Sequence, residues 1–263
     1  MTDQVLDPCA KPIECFDNNG DPCACNASGT GCQEENPNIN VNIDLSEFVD
    51  PCQNLKLNFV NNVAVKLRVK QLLVNRATGG NEQAFSVSRD DGNGVPMPTA
   101  TITSPSDDEV DIEVGDNIFA AAHNHPTNSA NLIPMFSAGD LLTLAQISGN
   151  YIGVGQASPS NYTFVLATGG KVFALKYPNV NSMIFLESLL GDPIRRAQVV
   201  ADIRNEIQNT TSNSPEDLFA TLDTVCSAYM APLDLYEANL NSINEVQSWN
   251  KFNKVTKMFV PCE

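Results

Sequence analysis

Histidine and positive charge are both scarce in this sequence. Its 263 residues include two histidines, and 15 Lys and Arg residues stand against 31 Asp and Glu residues, which gives a net charge of −16. An acidic surface of this kind repels the phosphates of nucleic acids and anionic lipids, so we expect neither as a partner. A run of about 18 apolar residues is also missing, which predicts that no helix spans a membrane.

The first residues also lack the pattern of a secretory signal peptide. MTDQVLDPCAKPIECFDN has neither a basic flank nor an apolar segment. This absence favours the cytoplasm, whereas clustered cysteines favour an oxidising, secreted or particle-surface location. The sequence leaves the localisation open.

Cysteine is distributed unevenly. Five of the eight cysteines lie in the first 32 residues, and the others are far apart: Cys9, Cys15, Cys23, Cys25, Cys32, Cys52, Cys226 and Cys262. Their spacings match no paired CxxC zinc knuckle, so disulfides are favoured over a structural zinc site. A separate metal-binding module and free thiols remain alternatives.

Composition divides the chain into three regions. Residues 1–55 form an extended, acidic, Cys-rich arm with ten acids and one base. Residues 56–178 carry the predicted helices and strands of a folded unit, and residues 179–263 are predicted to be a helical C-terminal extension, with Pro193 and Pro215 in the first turns of helices. The arm and the extension are the surfaces through which we expect the chain to dock into a larger assembly.

The central region predicts a mixed sheet flanked by helices. A helix is expected from Leu57 to Gly79, with Val60, Val63, Leu67 and Val74 along its apolar face. A strand in NEQAFSVSRDD, a short strand in TATIT and two strands in VDIEVGDNIFAAAHNHP follow. The fold class is therefore α/β, of the α+β type.

The second half of this region opens with a helix and continues with strands. Ser137 is the expected N-cap of a helix that ends at Gly149. Three strands are then predicted in YIGVGQAS, NYTFVLAT and KVFALKY, with Gly169 and Gly170 as the turn of a hairpin.

Both histidines occupy the triplet His123-Asn124-His125 at the end of a predicted strand. Strand side chains alternate, so the two imidazoles point to the same side, about 7 Å apart along the backbone. Asp140, in the first turn of the following helix, can fold back towards them. Two histidines and one aspartate would leave a coordination position open, as catalytic zinc sites do.

A hydrolytic zinc site also needs a general base. Three glutamates precede the histidines and are candidates for this role: Glu82, Glu109 and Glu113. Ser137 lies on the same helix face as Asp140, where its hydroxyl could bind a developing oxyanion.

His123-x-His125-Pro followed by Ser137-x-x-Asp140 resembles the JAMM signature of the JAB/MPN zinc metallopeptidases, a family that includes bacterial and phage-tail peptidases and RadC-like proteins. The resemblance covers roughly residues 56–178. It implies a cytidine-deaminase-like JAB/MPN fold and hydrolysis of a peptide or isopeptide bond in a peptide or protein substrate.

The resemblance also assigns roles to individual residues. His123, His125 and Asp140 would bind one Zn²⁺ per chain, Glu82 would be the general acid and base, and Ser137 would stabilise the oxyanion. One departure is the loop of residues 126–136, which is longer than is usual in the family and lies beside the expected cleft. Loop insertions cost little free energy, so the site itself need not be disrupted.

Two other interpretations stand beside the enzyme. Ser137-x-x-Asp140 is also an ordinary helix-capping pattern, which needs no metal to explain it. The chain as a whole could be a non-catalytic subunit of a secretion, cell-surface or phage-tail assembly. Bound metal discriminates between these interpretations, because a scaffold does not require these side chains to converge.

Overall fold

The computed structural model describes residues 15–16, 22–23, 50–78, 81–89, 96–105, 110–125, 134–150, 158–212 and 214–262. The chain divides into two compact units, Met1–Leu45 and Ser46–Glu263. In the first unit, β1 (Cys15–Phe16) and β2 (Pro22–Cys23) form an antiparallel pair. Apart from these two strands, the predictions for residues 1–49, for the pairing of the five cysteines in the first 32 residues and for a strand in residues 151–157 fall outside the described residues.

The second unit contains one mixed sheet. Its strands are β3 (Gln83–Arg89), β4 (Pro96–Pro98), β5 (Ile102–Thr103), β6 (Ile118–Asn124), β7 (Thr163–Thr168), β8 (Lys171–Lys176), β9 (Asp234–Leu240), β10 (Val246–Asn253) and β11 (Met258–Pro261). The order is β11-β10-β9-β8-β7-β6-β3-β4, and β5 also pairs with β3. Only β6 and β7 pair in parallel among these strands.

Helices flank this sheet, which confirms the predicted α/β class. They are α1 (Pro51–Leu55), α2 (Val63–Ala77), α3 (Ala138–Asn150), α4 (Val180–Gly191), α5 (Pro193–Asn209) and α6 (Pro215–Ala228), with a π-helical segment at Lys56–Asn61 and a 3-10 turn at Pro159–Asn161. Within the described ranges, no helix combines the length and apolar character needed to cross a membrane.

The centre of the sheet is buried on both faces. Every residue of β6 and β7 is buried, as is typical of strands that are covered on both sides. Helices α2 and α3 each contact both strands and supply this cover. His123, in β6, and His125, which directly follows β6, therefore lie at the enclosed centre of the sheet.

The predicted first helix exists, but the face expected in the core is wrong. Val63, Leu67 and Val74 are 62%, 46% and 49% exposed, and the helix buries Val65, Val69, Leu72 and Leu73 instead. The helix is apolar on two sides, so periodicity alone could not choose between them. The extended backbone of Asn62 also separates α2 from the helical segment that carries Val60. The residues of the predicted apolar face therefore belong to two separate helical elements.

The hairpin prediction is confirmed. Strands β7 and β8 pair antiparallel with Thr168 opposite Lys171. Between them, Gly169 and Gly170 have φ of +60° and +77°, the left-handed region that a two-residue type I′ turn requires at both positions.

The prediction of a helical C-terminal region is correct only as far as Ala228. Pro193 and Pro215 lie in the first turns of α5 and α6 as expected, but β9, β10 and β11 then extend the sheet from β8. The buried residues of β10 are Val246, Trp249 and Phe252, spaced by three. A register shift between Val246 and Ser248 contributes to this spacing and hides the two-residue period of a strand.

A disulfide closes the second unit. Cys52 in α1 is bonded to Cys262, which follows β11, and the two positions are 210 residues apart. In the chain-entropy model, a loop of this length restricts the unfolded chain by roughly 5 kcal/mol. The disulfide therefore joins α1, near the start of this unit, to the residue that follows the edge strand β11.

Lys176 is fully buried at the end of β8. Its Nζ donates hydrogen bonds to Asn54 Oδ1 at 2.9 Å, to Thr163 Oγ1 at 2.5 Å and to the carbonyl of Tyr162 at 3.3 Å. Burial lowers the pKa of Lys176 to about 7, because the charged form loses its hydration.

This buried lysine predicts a pH dependence of stability. The pKa of Lys176 is about 7 in the folded chain and near 10.5 when the side chain is exposed, so the unfolded chain binds the extra proton between these values. The contribution of Lys176 to the free energy of unfolding should therefore rise by a few kcal/mol as pH increases through that window. Denaturant melts of the wild type and a Lys176→Met variant measure it as a difference. Parallel pH profiles for the two proteins would contradict the prediction.

Candidate metal centre

The two histidines lie side by side at the end of β6, as predicted. His123 is in the strand and His125 directly follows it, where the backbone N–H of His125 donates to the carbonyl of Ala167 in β7. Both side chains are buried, and their ring centroids are 4.8 Å apart with planes at 82°. Phe164 packs on His123 with ring centroids 5.3 Å apart, which restricts the orientation of that imidazole.

Strand β3 brings a carboxylate to the histidines. Ala84 pairs with His123 in the antiparallel β3–β6 ladder, so Glu82, two residues earlier, extends from the same face of the sheet. Its Oε1 lies 2.5 Å from Nδ1 of His123, and its side chain is buried. Glu113 is exposed and Glu109 falls outside the described residues, so Glu82 is the candidate glutamate that the structure places at the histidines.

Asp140 reaches the histidines from the start of α3. The backbone N–H of Asp140 donates to Ser137 Oγ at 3.3 Å, and the N–H of Ser137 donates to Asp140 Oδ2 at 2.6 Å. This reciprocal cap confirms Ser137 as the residue before the helix, which runs one residue beyond the predicted end at Gly149. The second carboxylate oxygen, Oδ1, lies 3.2 Å from Nε2 of His123.

The Asp140–His123 contact has the spacing of two ligands on one ion. In a tetrahedral site with Zn–N and Zn–O bonds of about 2.0–2.2 Å, neighbouring ligand atoms are roughly 3.3 Å apart. The buried Nε2 has no hydrogen-bond partner among the described residues, although Asp140 Oδ1 is 3.2 Å away. The two atoms therefore approach each other without the geometry of a hydrogen bond.

The ligand atoms of Glu82, His123 and His125 all lie within 4.8 Å of one another, and all three side chains are buried. This group could hold a metal ion. Asp140 adds a fourth ionisable side chain through its contact with His123. Ser137 is joined to the group through its hydrogen bonds with Asp140.

The charges of the site are strongly coupled. Burial alone would lower the pKa of His123, but the carboxylates of Asp140 and Glu82 outweigh burial and raise this pKa to about 10. Burial would likewise raise the pKa of Asp140, yet the adjacent charge of His123 holds it below its usual value. Two carboxylates thus stabilise positive charge at His123, and a cationic metal would meet the same negative potential.

Asn124 is a member of this site that the sequence patterns did not single out. Its fully buried side chain accepts a hydrogen bond at Oδ1 from the backbone N–H of Gln83 at 2.6 Å. Its place between the two histidines was the available signal, because strand alternation directs it away from them and towards other contacts.

Comparisons of the chain with protein-family models, with curated proteins and with solved structures found no match. The resemblance to the JAB/MPN metallopeptidases therefore rests on the motif residues and stays a prediction.

The coupled charges predict that metal binding releases a proton. With a pKa of about 10, His123 is protonated near neutral pH, whereas an imidazole that binds a metal must give up the proton at the ligating nitrogen. Zinc binding should therefore release about one proton per chain. Calorimetric titrations in two buffers of different ionisation enthalpy measure this number. Binding with the same heat in both buffers would show that His123 is neutral before the metal arrives.

Proposed function

We propose that the chain is a zinc-dependent peptidase of the JAMM type, which hydrolyses a peptide or isopeptide bond. The observation that carries the proposal is the buried convergence of Glu82, His123 and His125 at the end of β6. Asp140 joins them at a ligand-to-ligand spacing from the first turn of α3. These positions agree with the roles that the motif implies.

Zinc is the metal that the donor set favours. Two imidazole nitrogens and one carboxylate oxygen are a common ligand set of catalytic zinc, which keeps a position open for substrate or water. His123, His125 and Asp140 would hold the ion. The buried Nε2 of His123, which has no hydrogen-bond partner in the described part of the chain, fits this role because a ligating nitrogen points its lone pair at the metal.

When bound, Zn²⁺ would polarise the scissile carbonyl and lower the pKa of a water molecule. The protein supplies the proton transfers and the orientation. Glu82, whose ligand atom lies within 4.8 Å of those of both histidines, would take a proton from the attacking water and return it to the leaving amine. The Ser137 hydroxyl, fixed at the start of α3 by Asp140, would donate to the oxyanion.

Burial energetics support a functional reason for this group. Charged side chains are costly to bury even when they are paired, and an apolar replacement of similar volume is often as stable. Glu82, His123 and Asp140 are each at most 5% exposed. Fold stability alone does not call for such a cluster, whereas a metal ion does.

A docking function is a second candidate, favoured by the outer face of α2. Val63, Leu67 and Val74 project from one side of this helix and are each about half exposed or more. Apolar stripes of this kind are common at protein–protein contacts. A chain that docks through α2 could retain the metal centre as a structural element without turnover.

The first experiment measures bound zinc after purification and dialysis in the wild type and in Asp140→Asn. Loss of one ligand should lower the zinc content from about one per chain to a small fraction of that value. Asp217→Asn is a control at the corresponding position of another Ser-x-x-Asp cap, because the N–H of Asp217 donates to Ser214 Oγ and the Ser214 hydroxyl donates to Asp217 Oδ2 at the start of α6. Asp217 is exposed and lies far from any histidine in sequence. Equal zinc contents in all three proteins, or no zinc in the wild type, would contradict the metal site.

A second experiment tests the role of Glu82. Glu82→Gln keeps an oxygen that can accept from His123 Nδ1 but removes the basic carboxylate, so zinc should be retained while hydrolysis falls by about 10²–10⁴-fold. Cleavage of a peptide library by the zinc-loaded protein, followed by mass spectrometry, measures the rate. Glu113→Gln, a change at an exposed glutamate, should have wild-type activity. Full activity in Glu82→Gln would remove Glu82 as the base.

A further inference from the structure

The asparagine between the two histidines contacts the residue next to the proposed base. Strand alternation directs the Asn124 side chain to the side of β6 opposite His123 and His125. Its Oδ1 accepts a hydrogen bond from the backbone N–H of Gln83 at 2.6 Å. That N–H belongs to the peptide bond that joins Glu82 to Gln83, so the Asn124 carboxamide is bonded directly to the backbone that carries Glu82.

This side-chain bond continues the β3–β6 pairing where the register pairs stop. The last register pair at this end of the ladder is Ala84 with His123. Beyond it, the N–H of His125 donates to Ala167 in β7. The Asn124 carboxamide supplies the acceptor for the N–H of Gln83, which would otherwise face the histidine strand with the cost of an unpaired polar group.

The other side of the same segment is held separately. The carbonyl of Glu82 accepts from the N–H of Ser104 at 2.8 Å, and the carbonyl of Asn81 accepts from Asn75 Nδ2 at 2.6 Å. Asn81 Nδ2 in turn donates to the carbonyl of Ser104 at 3.0 Å. These bonds attach Asn81 and Glu82 to α2 and to the chain beside β5, whereas Asn124 attaches Gln83 to the strand of the histidines.

Of the two polar atoms of the Asn124 carboxamide, the oxygen is the one with a hydrogen-bond partner among the described residues. Its Nδ2 is buried and has no hydrogen-bond partner among the described residues. An unpaired buried donor is unfavourable by about 1–3 kcal/mol, so packing alone does not account for an amide at this fully buried position. The hydrogen bond that Oδ1 accepts from the N–H of Gln83 is a physical reason for an amide at this position.

We propose that Asn124 is a positioning residue, which holds the Glu82–Gln83 peptide against the histidine strand and so keeps the Glu82 carboxylate on His123. The catalytic consequence rests on the proposed function, but the positioning itself concerns the bond from the backbone N–H of Gln83 to Asn124 and the contact of Glu82 with His123. The two histidines of the triplet thus serve the metal centre, and the residue between them places its general base.

The test uses the imidazole N–H signal of His123 in protein stripped of metal with a chelator. The chain has two histidines, so proton–nitrogen NMR resolves few ring signals, and a His125→Gln variant assigns them. The short contact with Glu82 should place the Nδ1–H proton of His123 far downfield. Asn124→Leu, which keeps the side-chain volume but removes the acceptor, should shift this signal upfield or abolish it.

Rescue and control variants separate positioning from general destabilisation. Asn124→Asp retains an acceptor oxygen for the N–H of Gln83 and should restore the downfield signal. Ser86→Ala removes another buried polar contact of β3, the bond from Ser86 Oγ to the carbonyl of Glu113, and should leave the signal in place. If Asn124→Leu does not fold, Asn124→Ala takes its place in the same comparison.

Zinc affinity gives a second readout. Loss of the outer partner of a ligating histidine typically weakens metal binding about 10–100-fold, so Asn124→Leu should weaken zinc binding by this factor. The same substitution should have no further effect in a Glu82→Ala background, because Asn124 acts through Glu82. A full additional effect in that background would assign Asn124 a purely structural role.

The two readouts distinguish the proposals. An unchanged His123 signal in Asn124→Leu would overturn the positioning role, even if the wild type binds zinc and cleaves peptides. A signal that responds as expected in a protein that binds no zinc would uphold the positioning and reject the proposed function.

Discussion

The constraint on which the rest of this structure depends is the burial of opposite charges at the end of one strand. His123 lies between the carboxylates of Glu82 and Asp140, with 2.5 Å to one and 3.2 Å to the other. None of these groups has bulk water to solvate it, so each must be held at its partner by the surrounding backbone. The elements around the site can be understood as the means of holding them.

Three different parts of the chain meet this requirement in three ways. The β3–β6 ladder sets the register that places Glu82 and the histidines on one face. The first turn of α3 holds Asp140 through one carboxylate oxygen and leaves the other for His123. Phe164 packs against the imidazole from the neighbouring strand. Because β6 and β7 are buried throughout, these contacts lie in an apolar environment that strengthens them.

The capping and metal-binding interpretations of Ser137-x-x-Asp140 are compatible. Asp140 Oδ2 accepts from the N–H of Ser137 and completes the helix cap, while Oδ1 faces Nε2 of His123. At α6 the N–H of Asp217 likewise donates to Ser214 Oγ, but the Asp217 carboxylate accepts from the Ser214 hydroxyl, and no histidine lies nearby in sequence. In both helices the cap orients the carboxylate. At α3 the oriented carboxylate also faces a histidine of the neighbouring strand.

Local patterns determined much of this protein. Short apolar runs identified β3, β6, β7 and β8, paired glycines identified the hairpin, and prolines marked the starts of α5 and α6, because each of these signals acts within a few residues of chain. The motif also selected the residues of the candidate site, since strand and helix periodicity fix which side chains share a face. These are properties that a short segment carries in any context.

Only the tertiary structure decided the matters that depend on distant partners. Helix α2 is apolar on two sides, and the sheet selected Val65, Val69 and Leu72 for the core rather than Val63, Leu67 and Val74. The last three strands became visible only through their pairing in the sheet, where β9 pairs with β8, β10 with β9 and β11 with β10. The bulge in β10 conceals the two-residue period of that strand. The placement of Glu82 at His123 and the attachment of Asn124 to the backbone of Gln83 likewise follow from the β3–β6 register, which joins residues about 40 positions apart through contacts that local sequence does not encode.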